Sequence, residues 1–550
     1  MTPVAAAIQL GVARFGAPIA SATGGQSDAA KTIAIVLVLL IAATILAVVA
    51  RRLAIPYPVL LVLGGLALGF IPGLPAVALE PDVVFLLFLP PILFGAGYFT
   101  SIRDLRANIR PIGLLAVGHV LFTMVVVAVV IQTLVPTLGW AAAFALGAIV
   151  APPDAVAATA VFQRLGVPRR LVTILEGESL LNDATALVAY RFALLAATTG
   201  TFSLIDAGGT FLFASVGGVL LGLAIGHVVS MAVRRIDDEV FSIVITFLAP
   251  TAAYLPAEQL GLSGVIATVA AGIWLGRHAP KALSSGVRLS GVAAWQILLF
   301  LVNGSVFILI GLSLPQALGR LAGRSPGELL GLGVAVAVSV ITARIVYVLG
   351  VLYLPKRFAR RGRNDPEGAA RNIVIVGWAG MRGVVSLAAA LALPADFPER
   401  DLLIFLTFAV ILATLVGQGL TLPLLIHRLD IDDGAGLEGQ EEAYARYIAA
   451  DAATARLEDL AREWPSHQEL IDTLRAQYSH RTRHAELRQD TAEHDEDAEQ
   501  ELLEHRAIRL AILNAERDAL IALRDRAAIS DEIFRRVERD LDLEELRMEA

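Results

Sequence analysis

The sequence predicts an all-α, polytopic membrane protein: about 13 transmembrane helices with inverted repeats and two interrupted, crossing helices, then a helical cytoplasmic tail. Three observations predict it. Of 550 residues, 56% are hydrophobic and the mean hydropathy is +0.69, whereas soluble domains are roughly 45–50% apolar. Apolar runs of 15 or more residues recur from Lys31 to His427, long enough, or nearly so, for a hydrocarbon core of about 30 Å. The loops between those runs alternate between arginine-rich and arginine-poor.

In order, the spans fall at 32–50, 56–72, 82–99, 111–134, 139–163, 171–197, 208–233, 240–257, 262–276, 290–314, 328–354, 372–393 and 401–427. One set of loops carries Arg51 and Arg52; Arg103, Arg106 and Arg110; Arg164, Arg169 and Arg170; Arg234 and Arg235; Arg277, Lys281 and Arg288; and the cluster from Lys356 to Arg371. The other set carries only Arg320, Arg324 and Arg400. Basic loops stay on the cytoplasmic side. The N-terminus is therefore expected outside and the tail in the cytoplasm, with the chain multi-pass in the cell membrane. An error of one span would reverse the alternation downstream.

Three parts follow: an N-terminal outer segment at 1–30, a transmembrane domain at 31–430 and an acidic helical tail at 431–550. In 1–30 Arg14 interrupts the apolar run and no basic stretch precedes it, which argues against a cleaved signal peptide. From Ile431 onward acidic residues outnumber basic ones by 15; with −7 overall, residues 1–430 carry +8. A cationic membrane part suits anionic headgroups. The basic residues sit in short loops without interleaved aromatics, so nucleic acid is not an expected partner. With no cysteine there is no disulfide, thiolate metal site or cysteine nucleophile. In the tail, Ile533, Val537 and Leu541 form one apolar stripe of an amphipathic helix, and Leu513 and Leu520 lie a heptad apart.

Spans five and twelve are interrupted. The first contains Ala151-Pro152-Pro153-Asp154, where proline breaks the helical ladder. The second contains Gly377-Trp378-Ala379-Gly380-Met381-Arg382-Gly383, loosened by three glycines. They lie seven spans apart, as matching positions of two repeats would, and paired interruptions point to a transporter's binding site.

Depth brings three charges together. At about 1.5 Å per residue, Asp183 lies about 18 Å into span six, Asp154 about 14 Å from the cytoplasmic end of span five, and Arg382 about 15 Å into span twelve. All are near mid-bilayer and are expected to face one interior. A charge there costs about 2.5–3.5 kcal/mol even on lenient insertion scales, so Asp183 marks function. Ser179 and Asp183 share one helix face, Glu178 and Asn182 the adjacent one, and Glu176 lies nearer the cytoplasmic mouth. Asp183, Ser179, Asp154 and the unwound carbonyl of Pro153 can surround one dehydrated monovalent cation. Glu178 needs a partner, and Arg382 at similar depth is expected to supply it, since an unpaired buried charge is strongly destabilising.

Removing a carboxylate from water favours its protonated form, and a cation bound against it favours the ionised form. One such group holds a proton or a cation and releases one on binding the other. An antiporter needs only that and a gate exposing the site alternately. A channel or proton-coupled carrier for another small solute is the alternative, and would show a wider polar lining. A membrane-embedded sensor would need a catalytic or DNA-binding tail. No cofactor and no enzyme chemistry is expected.

On Glu178-Ser179-Leu180-Leu181-Asn182-Asp183, Leu89-Pro90-Pro91-Ile92-Leu93-Phe94 and Gly380-Met381-Arg382-Gly383-Val384-Val385-Ser386, the chain resembles the monovalent cation:proton antiporters, the bacterial and animal sodium/proton exchangers, over roughly 31–427. The resemblance implies that Asp183 carries the ion and the proton, that Ser179 ligates the cation, that Asp154 lies beside the site and that Glu178 and Arg382 form a structural salt bridge. Asn182 before the aspartate implies electroneutral one-for-one exchange, with Na+ ahead of K+ or Li+, serving cation and pH homeostasis. A homodimer with a dimerisation domain and a moving core domain is also implied. Two positions depart from the family: Pro153 stands where many members have threonine, and Gly95 where many have glutamate, which would relax selectivity toward potassium or alter affinity.

Other charges in the spans have plainer readings. Arg344 is expected to snorkel toward the cytoplasm and Arg191 toward the outside. His119 and His227 read as satisfied interior histidines, and Glu258 as solvated near the outer surface.

Overall fold

Hydrocarbon leaves a backbone no hydrogen-bond partner but itself, a need that helices and closed barrels meet, and continuous apolar runs of this length suit helices. The structure, a computed structural model, describes residues 28–53, 55–71, 84–199, 204–236, 238–321, 323–353, 366–429, 435–489, 496–526 and 528–549. Among them it is almost wholly helical and contains no strand. The expected outer segment 1–30 lies outside the described residues apart from its last three, and so does most of the basic loop from Lys356 onward. Two compact units divide the chain, Met1–Asp433 and Gly434–Ala550.

The first unit opens with α1 (Asp28–Leu53), α2 (Tyr57–Gly69) and α3 (Val84–Phe99), followed by α4 (Ile109–Leu134). The fifth span is two helices, α5 (Trp140–Val150) and α6 (Ala155–Leu165). Then come α7 (Arg169–Thr199), α8 (Leu204–Arg234), α9 (Glu239–Gln259), α10 (Gly264–Ala282), α11 (Ser285–Arg320) and α12 (Pro326–Val348). The twelfth span is also two pieces, α13 (Pro366–Trp378) and α14 (Val384–Leu391), before α15 (Arg400–Arg428). Eight helices among the described residues are long and apolar enough to cross a membrane, with shorter apolar ones at Tyr57–Gly69 and Val84–Phe99. Both breaks fall where proline and glycine interrupt the sequence. Three wide turns of π-helix, at Val84–Phe88, Leu114–His119 and Ala413–Gln418, sit inside α3, α4 and α15.

Lipid tails are as apolar as leucine, so membrane helices associate through close van der Waals packing, which small residues allow. Gly218, Gly222 and Gly226 repeat at every fourth residue of α8 and lie against the backbone of Ser263, which caps α10, and of Ala267 and Ala271 on α10. Gly272 of α10 in turn meets the Phe94 carbonyl of α3. A second such contact joins α2 and α11, where Gly65 faces the Ile308 carbonyl and Gly311 the Val62 carbonyl. The largest buried apolar cluster surrounds the two breaks and includes Val150, Met381, Val384, Leu387 and Leu415.

In the second unit α16 (Ala435–Glu463) packs on α17 (Gln468–Gln489), and α18 (Glu496–Asp525) on α19 (Asp531–Glu549). The apolar stripe of α19 is turned from the expected one. Leu541 is buried and Val537 half-buried, but Phe534 takes the inner position and leaves Ile533 exposed. The aromatic ring fills more of the seam than isoleucine can, and Arg524 of α18 covers it at 4.7 Å.

A side chain at Gly222 would overlap the Ala267 carbonyl on α10. Gly222→Val is therefore expected to force α8 from α10 and to cut the yield of monodisperse protein in detergent severalfold. Size-exclusion chromatography of the detergent-extracted variant measures this. The same change at Gly331, which has open space around it, is expected to leave the yield unchanged.

Candidate functional site

Breaking two helices in mid-membrane exposes half-helix ends, whose orphan amides and carbonyls must find partners without water. The two breaks touch: the Asp154 amide donates to the Met381 carbonyl at 2.7 Å. Helix N-termini carry partial positive charge and C-termini partial negative charge, and the side chains follow that rule. Asp154 caps α6, its Oδ1 accepting from the Val156 amide at 2.9 Å. The same carboxylate lies against Gly383, at the start of α14. One acid thus serves two N-termini, and a methyl group at Gly383 would collide with it.

Arginines serve the C-terminal ends. Arg382 donates from Nε to the Val150 carbonyl at 3.0 Å, from Nη2 to the Ala151 carbonyl at 3.3 Å, and to the Gly380 carbonyl. These are the last carbonyls of α5 and of the opposite break. Arg344, on α12, donates from Nε to the Val376 carbonyl of α13 at 3.1 Å. At the C-terminal end of α14, Arg400 bonds the Leu393 and Leu391 carbonyls at 2.8 and 3.0 Å.

The expected Glu178–Arg382 salt bridge is not formed. Glu178 instead holds Arg344 in a two-pronged pair, at 2.6 Å from Oε1 to Nη1 and 2.9 Å from Oε2 to Nη2, with both side chains 0–1% exposed. The reason is physical: Arg382 is committed to orphan carbonyls of the breaks, while Arg344 reaches α7 from the neighbouring helix. Arg344 therefore does not snorkel toward the cytoplasm. His119 stands over the pair, its Nδ1 3.7 Å from Glu178 Oε1 and its Nε2 bonded to Thr123 Oγ1 at 3.1 Å.

Two other residues of α7 tie that helix to the first break. Asn182, fully buried, donates from Nδ2 to the Pro153 carbonyl at 2.9 Å. The carbonyl expected to face a cation thus already accepts one hydrogen bond and keeps its second lone pair. Ser179 Oγ accepts from the Ala155 amide at 3.4 Å. Asp183 lies one residue beyond Asn182, 6% exposed and close enough to Asp154 for the two carboxylates to repel. No hydrogen bond to its carboxylate is found among the described residues. Asp183, Asp154, Ser179, Asn182 and Pro153 are thus brought to one crossing, with Arg382 on its other side.

Farther out, Arg191 pairs with Glu258 at 2.6 Å rather than standing alone in solvent. Gly95 is buried, and a side chain there would press on Leu299. The reading of depth missed Arg344 and also Thr414 of α15, whose hydroxyl accepts from the Arg382 amide at 3.1 Å.

Comparison with known proteins gives the family and the fold. Residues 36–428 match the family described as sodium/hydrogen exchanger, transmembrane. An uncharacterised Na(+)/H(+) exchanger of Mycobacterium tuberculosis is 35% identical over 94% of this chain and 96% of its own length. The sodium, potassium, lithium and rubidium/H(+) antiporter of Bacillus subtilis is 34% identical over 71% of this chain and 61% of its own. Among solved structures, the sodium proton antiporter MjNhaP1 from Methanocaldococcus jannaschii shares the fold, with a TM-score of 0.58 and 21% identity, over 73% of this chain and 99% of its own.

Breaking a buried ion pair by removing one partner typically costs about 3–5 kcal/mol, because the other charge is left uncompensated. Arg344→Ala and Glu178→Ala are each expected to lower the thermal midpoint in detergent sharply. Replacing both by leucine is expected to recover much of the loss, since neither charge then remains to be desolvated. Thermal unfolding of the three variants, followed by tryptophan fluorescence, checks this.

Proposed function

The chain belongs to the sodium/hydrogen exchanger family, multi-pass carriers that exchange a monovalent cation for a proton, and from that membership we propose that its exchange runs through Asp183. Asp154, Ser179 and the free lone pair of the Pro153 carbonyl supply further oxygens to the ion. Asn182 holds the break against α7 and so positions them.

One observation carries the reading. Four charged side chains are buried in the membrane unit among the described residues: Glu178, Asp183, Arg344 and Arg382. Three have hydrogen-bond partners in the protein, and Asp183 has none. An unpaired buried carboxylate is costly unless it binds something that is not part of the fold. A proton and an alkali cation both suit it, and each displaces the other.

Charge balance supports one-for-one, electroneutral exchange. The four buried charges cancel, and the half-buried Asp154 beside them leaves the crossing with one negative charge, which one proton or one monovalent cation cancels. Sodium is the first candidate for the cation. Potassium and lithium are also proposed, with support from the Bacillus relative whose name includes all three and from Pro153 and Gly95, which remove two oxygens common in the family. The arginine distribution supports the basic loops and the tail facing the cytoplasm. Assembly as a homodimer rests on family membership, and a role in cation and pH homeostasis follows from the exchange.

In inside-out vesicles, Asp183→Asn is expected to reduce the cation-induced collapse of a pH gradient to the level of empty vesicles while the protein still inserts. Retained collapse would refute the assignment. For the native protein, competition at one carboxylate requires the apparent KM for the cation to rise as pH falls. Once the protonated form dominates, it should rise about tenfold per pH unit, because the proton binds the state the cation needs. A KM independent of pH would show that the two ions use separate groups.

A further inference from the structure

Native proteins leave very few buried side-chain polar atoms without a partner, and each exception calls for an explanation. Gln418 is 1% exposed, and neither its Oε1 nor its Nε2 has a hydrogen-bond partner; it is the one residue among those described with both amide atoms in that condition. It therefore does nothing to hold the fold through its amide. A leucine of similar size would be expected to serve the packing better.

Its position gives the amide something else to do. Counted back from Arg428 at about 1.5 Å per residue, Gln418 lies about 15 Å from the end of α15, the depth of Asp154 and Arg382. It closes the π-helical turn Ala413–Gln418, a distortion that recurs at functional sites. Both flanks of that turn lie on the second break. Thr414 accepts from the Arg382 amide, and Gly419 packs against Met381, whose carbonyl is bonded by the Asp154 amide. Two other unpartnered buried atoms belong to elements of the same crossing, Asn182 Oδ1 on α7 and Ser386 Oγ on α14.

We infer that Gln418 is a specificity-determining residue for the exchanged ion: its amide oxygen completes the oxygen shell of the dehydrated cation held at the crossing. A small alkali cation that has shed its water needs several oxygens, and Asp183, Asp154 and Ser179 supply few. A neutral amide oxygen adds a ligand without disturbing the charge balance. The π-turn shifts the register of α15 between Thr414 and Gly419, the two residues that lie against the second break. The inference rests on the assignment of Asp183 as the exchange site.

The test compares Gln418→Leu and Gln418→Glu with the native protein in inside-out vesicles, with sodium, potassium and lithium each as driving ion, and in thermal unfolding. Gln418→Leu is expected to raise the apparent KM at least fivefold, by different factors for the three cations, with an unchanged or higher thermal midpoint. Gln418→Glu, which keeps an oxygen ligand but adds a negative charge, is expected to hold the KM at or below the native value while slowing exchange, because the loaded site is no longer neutral. Native KM values in Gln418→Leu, or equal shifts for all three ions with a lowered midpoint, would overturn the inference and leave a structural role. Asp183→Asn, run alongside, separates the two readings. If it remains active, the site itself is misplaced; if it is inactive while Gln418→Leu exchanges normally, only the role of Gln418 falls.

Discussion

Everything at the centre of this protein follows from one constraint: polar groups in hydrocarbon must find partners within the protein. Two interrupted helices crossing at mid-membrane create the largest concentration of such groups, and the structure meets the half-helix ends with charges of opposite sign. Asp154 lies at two N-termini, Arg382 at the end of α5, Arg344 at the end of α13 and Arg400 at the C-terminal end of α14. The charges that look expensive in the sequence are what allow the breaks to exist.

That principle also explains the rearranged salt bridge. A mid-membrane arginine has two needs to choose between, a carboxylate and a set of orphan carbonyls. Arg382 lies within a break and is consumed by its neighbours. Arg344 sits in an unbroken helix, spends one nitrogen on the Val376 carbonyl and has its planar fork free for Glu178. Gly380 lets both side chains pass, since any larger residue would meet Arg344 and Arg382 together.

Much of this was legible in the residues. Hydropathy and the arginine alternation gave the helical membrane class, proline and glycine located both breaks, and counting 1.5 Å per residue put Asp154, Asp183 and Arg382 in one plane. What depth cannot supply is direction around the bundle, and the Glu178 partner turned on that. Applied to Arg344, the same count from the expected span end at 354 gives about 15 Å, the depth of the others. Reading it as a snorkelling residue overlooked a signal already present. Gln418 was invisible for a different reason: an amide carries no charge to stand out in an apolar run, and the π-turn that sets its angle has no sequence signature. In the tail, a one-residue rotation from Ile533 to Phe534 reflects side-chain volume, which a bare hydrophobic pattern does not weigh.

The charge arrangement also bears on why exchange would be obligatory. On the proposed assignment, the crossing with nothing bound at Asp183 carries one net negative charge. Moving that charge relative to the membrane exposes it to a low-dielectric surround, where the desolvation of an ion is several kcal/mol even after relaxation. Loaded with either a proton or a monovalent cation, the same cluster is neutral and moves without that penalty. Only loaded forms would then cross between the two sides at an appreciable rate. The outward step must carry one ion and the return step the other, because the empty carrier is held back by its own charge. Coupling would therefore need no device beyond the arginine count: a third buried arginine would neutralise the empty site, remove the penalty on its movement and turn a tight exchanger into one that returns unloaded.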